Sequence, residues 1–504
     1  MEALDTTSAA GGAASAPSAG MEQYGVDTIP DAARTSSPRD LVTILWGGNM
    51  ALSVGVFGWL VILYGLGWWA SVAAILVGTT VGALAVTPMA LLGYRSGTNN
   101  SVTSGAYFGV QGRLVASVIG LLLCLGYVAL TIWTGGEAVA AGWDRLTGAA
   151  ASDWQYVVGY GVLAVAVAAV AIYGYSWLVR VNTVIVWVVG AAMVLTVIGL
   201  AGRFDPSYAG TPDLYALGSF WPTWLLAALT AGIAGPVSYV TQTGDWTRCI
   251  SPDRHRPERV LGGLFVGLLG GLLIPTLWGA FVSSILFDEV SFVGGIVTGV
   301  PGWLLVPALA AALVGSLGQG GMNLYSMGLD LDAILPRLTR VQSTVVVTAL
   351  STLLVFLGKF VWDAESAVTT FVVVLTSLAT PWAVITLLGF WRTGGRYDRD
   401  ALQVFNQRRT GGRYWYRRGW NPGALVAWLV GSVVGVLSNS TDTYTGPIAD
   451  ALGGVDSSFL TSGIAAAIVY LALVAVRPDW LARAEDERHL TASADLTDAG
   501  DQPR

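Results

Sequence analysis

Charge is scarce in this chain. Of its 504 residues only 12% are Asp, Glu, Lys or Arg, against roughly a quarter in a soluble domain, which excludes a large soluble enzyme and a disordered protein. Cysteine is rarer still: Cys124 lies inside an apolar run and Cys249 at the end of another, so neither a disulfide framework nor a cysteine metal cluster can be built. The two histidines, His255 and His489, fall in polar connections, leaving no histidine metal or haem site in the apolar runs. The phosphate-binding pattern G-x-x-x-x-G-K-[ST] does not occur, and no His, Cys or carboxylate cluster of catalytic spacing interrupts the runs. Enzymatic chemistry and ATP-driven pumping are not expected. The net charge of −6 sits largely in the tails and gives no sign of nucleic-acid binding.

What fills the chain is hydrocarbon. Hydrophobic residues make up 54%, and the mean hydropathy is +0.62. Apolar stretches of about 18 or more residues recur along its length, the mark of a polytopic helical membrane protein. Helices are the open-ended solution in lipid, which offers no partner for backbone N–H and C=O. The runs predict twelve spans, near 41–66, 69–93, 114–141, 156–174, 181–201, 217–243, 260–287, 302–329, 341–361, 367–391, 423–438 and 458–476. They divide the chain into a disordered cytoplasmic tail (1–39), a ten-helix core (40–391), a basic loop (392–422), two appended spans (423–477) and an acidic cytoplasmic tail (478–504). With both tails inside, every basic residue except Arg145, Arg203 and Lys359 falls on the cytoplasmic side, the bias that sets orientation. The loop, with Arg408, Arg409, Arg413, Tyr414, Trp415, Tyr416, Arg417 and Arg418, fits a segment lying at lipid headgroups.

Two spans are interrupted. Span one carries Gly47-Gly48-Asn49; span six carries Gly235-Pro236-Val237-Ser238-Tyr239. Pro236 has no N–H to donate, and glycine lowers the cost of unwinding. Span one opens the first five and span six the next five. Because five is odd, the second set enters the membrane inverted, and paired breaks in inverted halves point to a transporter with a midplane site. Close helix packing is the other use for these glycines. On span eight, Gln319 and Asn323 are four apart and share a helical face. Glu137 is the carboxylate placed within a span, near the far end of span three. It suits either a functional role or a structural ion pair. Asp245 and Arg248, three apart at the inner end of span six, suit a salt bridge or a gate. Asp330 and Asp332 are expected in a solvent-exposed connection.

Four ordered stretches resemble one known family: Ser36-Ser37-Pro38-Arg39-Asp40-Leu41 leading to Gly48-Asn49; Gly93-Tyr94-Arg95-Ser96-Gly97 followed by Phe108-Gly109 and Gly112; Ser238-Tyr239 followed by Asp245-Trp246-Thr247-Arg248; and Asn323-Leu324-Tyr325-Ser326 with Gly328-Leu329. They are similar to the purine/cytosine permease type of nucleobase–cation symporter. The resemblance implies an all-α integral membrane fold of LeuT type, a 5+5 inverted repeat plus two C-terminal helices. It also implies a planar heterocycle stacked between Tyr127, nineteen residues after Phe108, and Tyr239. Asn323 and Gln319 would read its edge, with Asn49, Ser238 and Thr131 close by. Relatives coordinate sodium between the span-one break and hydroxyls of span eight. Here the matching positions read Leu317 and Gly318, with only Ser316 adjacent, so sodium near Gly48 and Ser316 and proton coupling through a group such as Glu137 both stay open.

The expected function is secondary active import of a nucleobase or related heterocycle by alternating access, in the plasma membrane and without a cofactor. A same-fold carrier of hydantoin, allantoin, a vitamin or an amino acid is the alternative. The oligomeric state and the role of the basic loop are not legible.

Overall fold

The computed structural model describes residues 25–172, 175–287, 291–335, 338, 340–361, 364–441 and 444–480. Most of the N-terminal tail and of the C-terminal tail lie outside the described residues. In chain order the principal helices are α1 (Pro38–Asn49), α2 (Leu52–Leu63), α3 (Trp68–Val86), α4 (Asn100–Phe108), α5 (Leu114–Thr147), α6 (Asp153–Ile172), α7 (Tyr175–Leu200), α8 (Phe220–Ala227), α9 (Ala234–Val237), α10 (Thr243–Thr247), α11 (Pro257–Ser283), α12 (Leu305–Ile334), α13 (Arg340–Phe360), α14 (Ala364–Arg392), α15 (Pro422–Leu437) and α16 (Ser458–Val476). Among the described residues ten helices are long and apolar enough to cross a bilayer. The bent pair α1–α2 makes eleven if it is one span, and α15 is a shorter apolar helix.

The chain enters α1 through a reciprocal cap. The Ser37 side chain accepts from the Asp40 backbone, the Asp40 carboxylate accepts from the Ser37 N–H at 2.8 Å, and Pro38 takes a first-turn position that needs no donor. Residues 25–37, expected as part of a disordered tail, are packed instead. Val26 and Ile29 are buried, and Arg34 is wholly buried, donating to the Arg248 carbonyl at 2.6 Å and the Tyr94 carbonyl at 2.5 Å. Low hydrophobicity made this stretch look unstructured. Its order comes from long-range polar contacts that a composition average does not register.

The helices form two groups. α5, α6, α12 and α13 pack on one another, with α7 against α12. α1 and α2 pack on α11, and α3 packs on the segment between α8 and α9. α15 and α16 pack together against α14. Contact within the second group is backbone-close: a methyl on Gly58 of α2 would overlap the Thr276 carbonyl of α11 and come within 2.5 Å of the Ala280 nitrogen. Small residues at such crossings admit dispersion contact between backbones, the main attraction available in lipid.

The first group is tied by charge near the end of the bundle away from the termini. Glu137 of α5 pairs with Lys359 of α13 at 2.8 Å and accepts from the Tyr160 hydroxyl of α6 at 3.0 Å. Lys359 also lies 3.9 Å from the centroid of the Tyr156 ring. Of the two roles left open for Glu137, the geometry supplies the structural pair. The basic 392–422 connection folds back on the protein: Tyr414 is buried, Arg399 pairs with Asp31 at 3.0 Å, and Tyr416 donates to the Ala106 carbonyl at 2.7 Å. Arg399, then Arg34, holds the Asp31 carboxyl below the ordinary carboxylate range, although burial opposes them.

Two stability predictions follow from this packing. Gly58→Ala should cost about 1–3 kcal/mol, read as a lowered melting temperature in detergent, whereas Gly262→Ala, with open space around its Cα, should leave melting unchanged. Lys359→Met should strand the Glu137 carboxylate and lower melting. The double variant Glu137→Gln/Lys359→Met should recover most of the loss, with a coupling of about 1–3 kcal/mol in a double-mutant cycle.

Candidate substrate site

The first interruption is real and slightly displaced. α1 ends at Asn49 and α2 begins at Leu52, and their axes differ by 62°. Gly47 and Gly48, expected to be the unwound residues, are helical. They serve close approach: a methyl on Gly48 would strike the Met322 sulfur of α12 at 2.6 Å, and one on Gly47 the Asn182 backbone of α7. The break itself is Met50-Ala51. The second interruption is displaced the same way. Gly235 and Pro236 occupy the last helical turn, α9, reached through a wide π-turn over Ala228–Ile233. The chain then leaves helix at Ser238 and resumes it at Thr243. A proline deprives the turn before it of a bond, and the widened turn takes up that defect. The chain unwinds only where glycine and proline no longer constrain it.

Side chains bond backbone carbonyls beside both breaks. Asn49 Nδ2 donates to the Leu45 carbonyl at 2.8 Å, and Ser238 Oγ to the Gly235 carbonyl at 2.6 Å. Asn100 Nδ2 of α4 donates to the Val240 carbonyl at 2.7 Å. The two breaks are joined directly: the Tyr239 hydroxyl donates to Asn49 Oδ1 at 2.7 Å.

Around this joint the expected residues converge. Tyr127 of α5 is 6% exposed, with its ring close to Ser238 and Tyr239. Thr131, one turn on, donates to the Tyr127 carbonyl at 2.7 Å and to Gln319 Oε1 at 3.2 Å. Gln319 Oε1 also accepts from Ser53 of α2. Asn323 donates Nδ2 to the Gln319 carbonyl at 3.0 Å, and its Oδ1 is buried with no partner. An unsatisfied buried acceptor costs about 1–3 kcal/mol, so Asn323 Oδ1 stands ready for a donor. Tyr127, Tyr239, Ser238, Asn49, Thr131, Gln319 and Asn323 thus form one buried cluster at the junction of α1, α2, α5, α9 and α12.

The remaining candidates lie outside this cluster. Gly48 and Ser316 do not meet: Ser316 Oγ is turned to α5, donating to the Ala312 carbonyl at 2.7 Å and lying 3.4 Å from the Thr131 carbonyl. Against the break itself α12 presents Gly315, where a methyl would come within 2.7 Å of the Met50 carbonyl and 2.9 Å of Ala51 Cα, while Gly318 and Met322 lie against Gly47 and Gly48. The Asn182 carboxamide of α7, buried and unpartnered, lies beside Gly47 and Gly318. Glu137 is engaged with Lys359. Asp330, expected in solvent, is 2% exposed, because α12 runs on to Ile334 rather than stopping at 329. Arg248 donates to the Gly25 carbonyl at 2.5 Å and to the Tyr325 hydroxyl at 3.3 Å, and its Nε lies 3.4 Å from the Asp245 backbone carbonyl. It therefore helps seal the end of the bundle near the termini.

Sequence reasoning missed the rings that hold Tyr127. Phe57 of α2 and Phe371 of α14 stand 6.3 and 6.0 Å from it, centroid to centroid. Both border an apolar cavity of about 230 Å³ that also reaches Trp133 and Val355. Nothing local marks a core phenylalanine as a neighbour of a site. At the end away from the termini, the Tyr64 hydroxyl meets Thr369 Oγ1 at 3.1 Å, and both residues line a cavity of about 640 Å³.

The chain is similar to known transporters over most of its length. Residues 28–462 match the family model described as permease for cytosine/purines, uracil, thiamine, allantoin. The Bacillus subtilis (strain 168) protein named "Putative purine-cytosine permease YxlA" is 22% identical over 472 residues, 91% of this chain and 96% of its own. The Saccharomyces cerevisiae vitamin B6 transporter TPN1 is 28% identical over 195 residues, 37% of this chain and 32% of its own. Among solved structures, Mhp1, a nucleobase-cation-symport-1 family transporter in a closed conformation with bromovinylhydantoin bound, superposes with a TM-score of 0.70 at 18% identity, covering 90% of this chain and 95% of its own. With most of its length matched, the chain belongs to the family of permeases for cytosine/purines, uracil, thiamine and allantoin, and is an all-α, multi-span membrane transporter.

Proposed function

We propose that this permease is a cation-coupled carrier that imports a nucleobase or a closely related flat heterocycle across the plasma membrane by alternating access. The observation that carries the reading is the joint between the two breaks: Tyr239 bonded to Asn49, with Tyr127 and the open Asn323 Oδ1 beside it. A neutral heterocycle offers two faces and an edge of donors and acceptors. Tyr127 and Tyr239 supply aromatic faces, and base–aromatic stacking contributes about 1–3 kcal/mol per base in nucleic-acid binders. Asn323 Oδ1 supplies an acceptor for an edge N–H group, and Gln319, its oxygen held by Ser53 and Thr131, offers its amide NH2 as a donor, with Asn49 and Ser238 close by.

In this reading twelve crossings, the short α15 included, form two inverted sets of five with two appended, and both termini are cytoplasmic. The breaks then fall in the first crossing of each set, and α1–α2, α3, α8–α10 and α11 rock against α5, α6, α12 and α13. The site is shut toward the cytoplasm by residues 25–37 and toward the outside by the Tyr64–Thr369 contact. The family to which the chain belongs favours a heterocycle over an amino acid, and the Mhp1 likeness favours ion coupling.

Uptake into proteoliposomes of labelled cytosine, uracil, adenine, guanine, hydantoin and allantoin, with sodium and proton gradients imposed separately, tests the reading. At least one base should accumulate. Asn323→Ala should abolish its uptake at normal membrane expression. Tyr127→Ala should weaken apparent affinity about 5- to 150-fold, the equivalent of about 1–3 kcal/mol, while Tyr127→Trp keeps it. Unchanged affinity in Asn323→Ala would remove the site as described.

A further inference from the structure

Beneath the substrate cluster, toward the termini, lies a buried carboxylate that the reading above does not use. Asp330 is seven residues beyond Asn323 on α12, about two turns and within roughly 20° of the same face. Its Oδ1 accepts from the Ser101 hydroxyl of α4 at 2.7 Å, while its Oδ2 is buried with no partner. Beside Oδ2 stands the Thr241 hydroxyl, also buried and unpartnered, on the unwound stretch that carries Tyr239. α5 makes room for both with Gly120: a methyl there would overlap Asp330 Oδ2 and lie 3.1 Å from Thr241 Oγ1.

The ionisable groups that face Asp330 are Asp245 of α10 and Cys124 of α5; α4 presents only the Ser101 hydroxyl. Arg113, at the start of α5, bonds Asn406 Oδ1 at 2.5 Å and lies over the Phe405 ring. Arg248 reaches Gly25 and Tyr325. Among the described residues no cation pairs with Asp330. An ionised carboxylate so placed, with a second carboxylate facing it, is costly, and taking up a proton removes that cost.

We propose that Asp330 is the site of the coupling proton. While the protein is closed toward the termini, a hydronium ion arriving from the opposite side breaks one of its O–H bonds, leaves as water, and an O–H bond forms on Oδ2. When the unwound 238–242 segment and α10 move away and water enters, that bond breaks, the proton passes to water and the electron pair stays on the carboxylate. The inference rests on the carrier reading above. It joins proton and substrate through shared parts, since Asn323 and Asp330 share α12 and Tyr239 and Thr241 share the unwound stretch.

The test compares purified wild type with Asp330→Asn in proteoliposomes and by infrared difference spectroscopy. Labelled cytosine, uracil, adenine and hydantoin serve as probes, driven by an inward proton gradient or an inward sodium gradient, or exchanged in counterflow without either. The proton gradient should drive wild-type accumulation. Asp330→Asn should lose about tenfold or more of it while counterflow stays within about threefold, and Asp330→Glu should restore gradient dependence. Without substrate, the wild-type spectrum should contain a protonated-carboxyl C=O band that is missing in Asp330→Asn and shifted in Thr241→Val. Wild-type levels of proton-driven accumulation in Asp330→Asn, or wild-type accumulation on a sodium gradient alone, would overturn the proposal. If no probe moves in the wild type, the substrate reading fails by itself, and the infrared band still decides: its loss in Asp330→Asn supports the proton site and its persistence refutes it. Should Asp330→Asn not elute as a monodisperse species, the band shift in Thr241→Val decides in the same way.

Discussion

A bilayer gives the backbone no hydrogen-bond partner, and the rest of this structure is arranged around the two places where the chain breaks its own ladder. At Met50-Ala51 and at 238–242 the helices stop inside the protein, not against lipid. At the second break Ser238 meets the Gly235 carbonyl and Asn100 the Val240 carbonyl, while at the first Asn49 folds back onto the Leu45 carbonyl in the last turn of α1. Each bond uses a short polar side chain held in one geometry. The Tyr239–Asn49 bond then couples the two breaks, so moving one disturbs the other. A substrate edge competing for Asn49 or Tyr239 acts on both halves of the molecule at once.

The packing explains which parts can move. α5, α6, α12 and α13 interlock and are tied by Glu137, Lys359 and Tyr160, an ion pair whose partial burial makes it costly to open. α2 and α11 meet backbone to backbone at Gly58, so they travel as one body. Between these groups α1 meets α12 closely, Gly48 against Met322 and Gly315 against Met50, and the Gln319 carboxamide holding Ser53 and Thr131 crosses the same seam.

The sequence displayed the coarse plan clearly because lipid demands long apolar helices and punishes interruptions. The runs, the two broken spans and the i, i+4 pair Gln319/Asn323 were all readable by spacing. The breaks were placed two to three residues early because glycine and proline mark where a helix is weakened, while unwinding occurs past them. Asp330 was lost because a hydropathy window ends a span at its first charges, although a face of two turns from Asn323 was available to arithmetic. Phe57, Phe371 and Asn182 were invisible for a different reason: their meaning comes from elements far away in sequence. Residues 25–37 look like tail by composition, yet Arg34 and Asp31 find partners on three distant segments.

The two closures differ in physical kind, and that difference bears on how a carrier cycle is driven. Near the termini the seal is made of buried charge and carbonyls, with Arg34 bonded to the Tyr94 and Arg248 carbonyls and Arg248 to the Gly25 carbonyl. Opening there exchanges those bonds for water around guanidinium groups, so hydration offsets much of what is lost. At the other end the described bonds include one between neutral hydroxyls, Tyr64 and Thr369, a net contribution of about 0.5–1.5 kcal/mol, and two from Arg145 of α5 to the Thr298 and Val300 carbonyls. A carrier interconverts the two closed arrangements. Moving such an equilibrium from 1:99 to 99:1 takes about 5.5 kcal/mol of differential binding. A stacked heterocycle supplies part of that, and an ion whose site exists in only one state supplies the rest. A buried acid that loses its desolvation cost on one side alone meets this requirement, because its proton affinity changes with the same motion that uncovers the substrate.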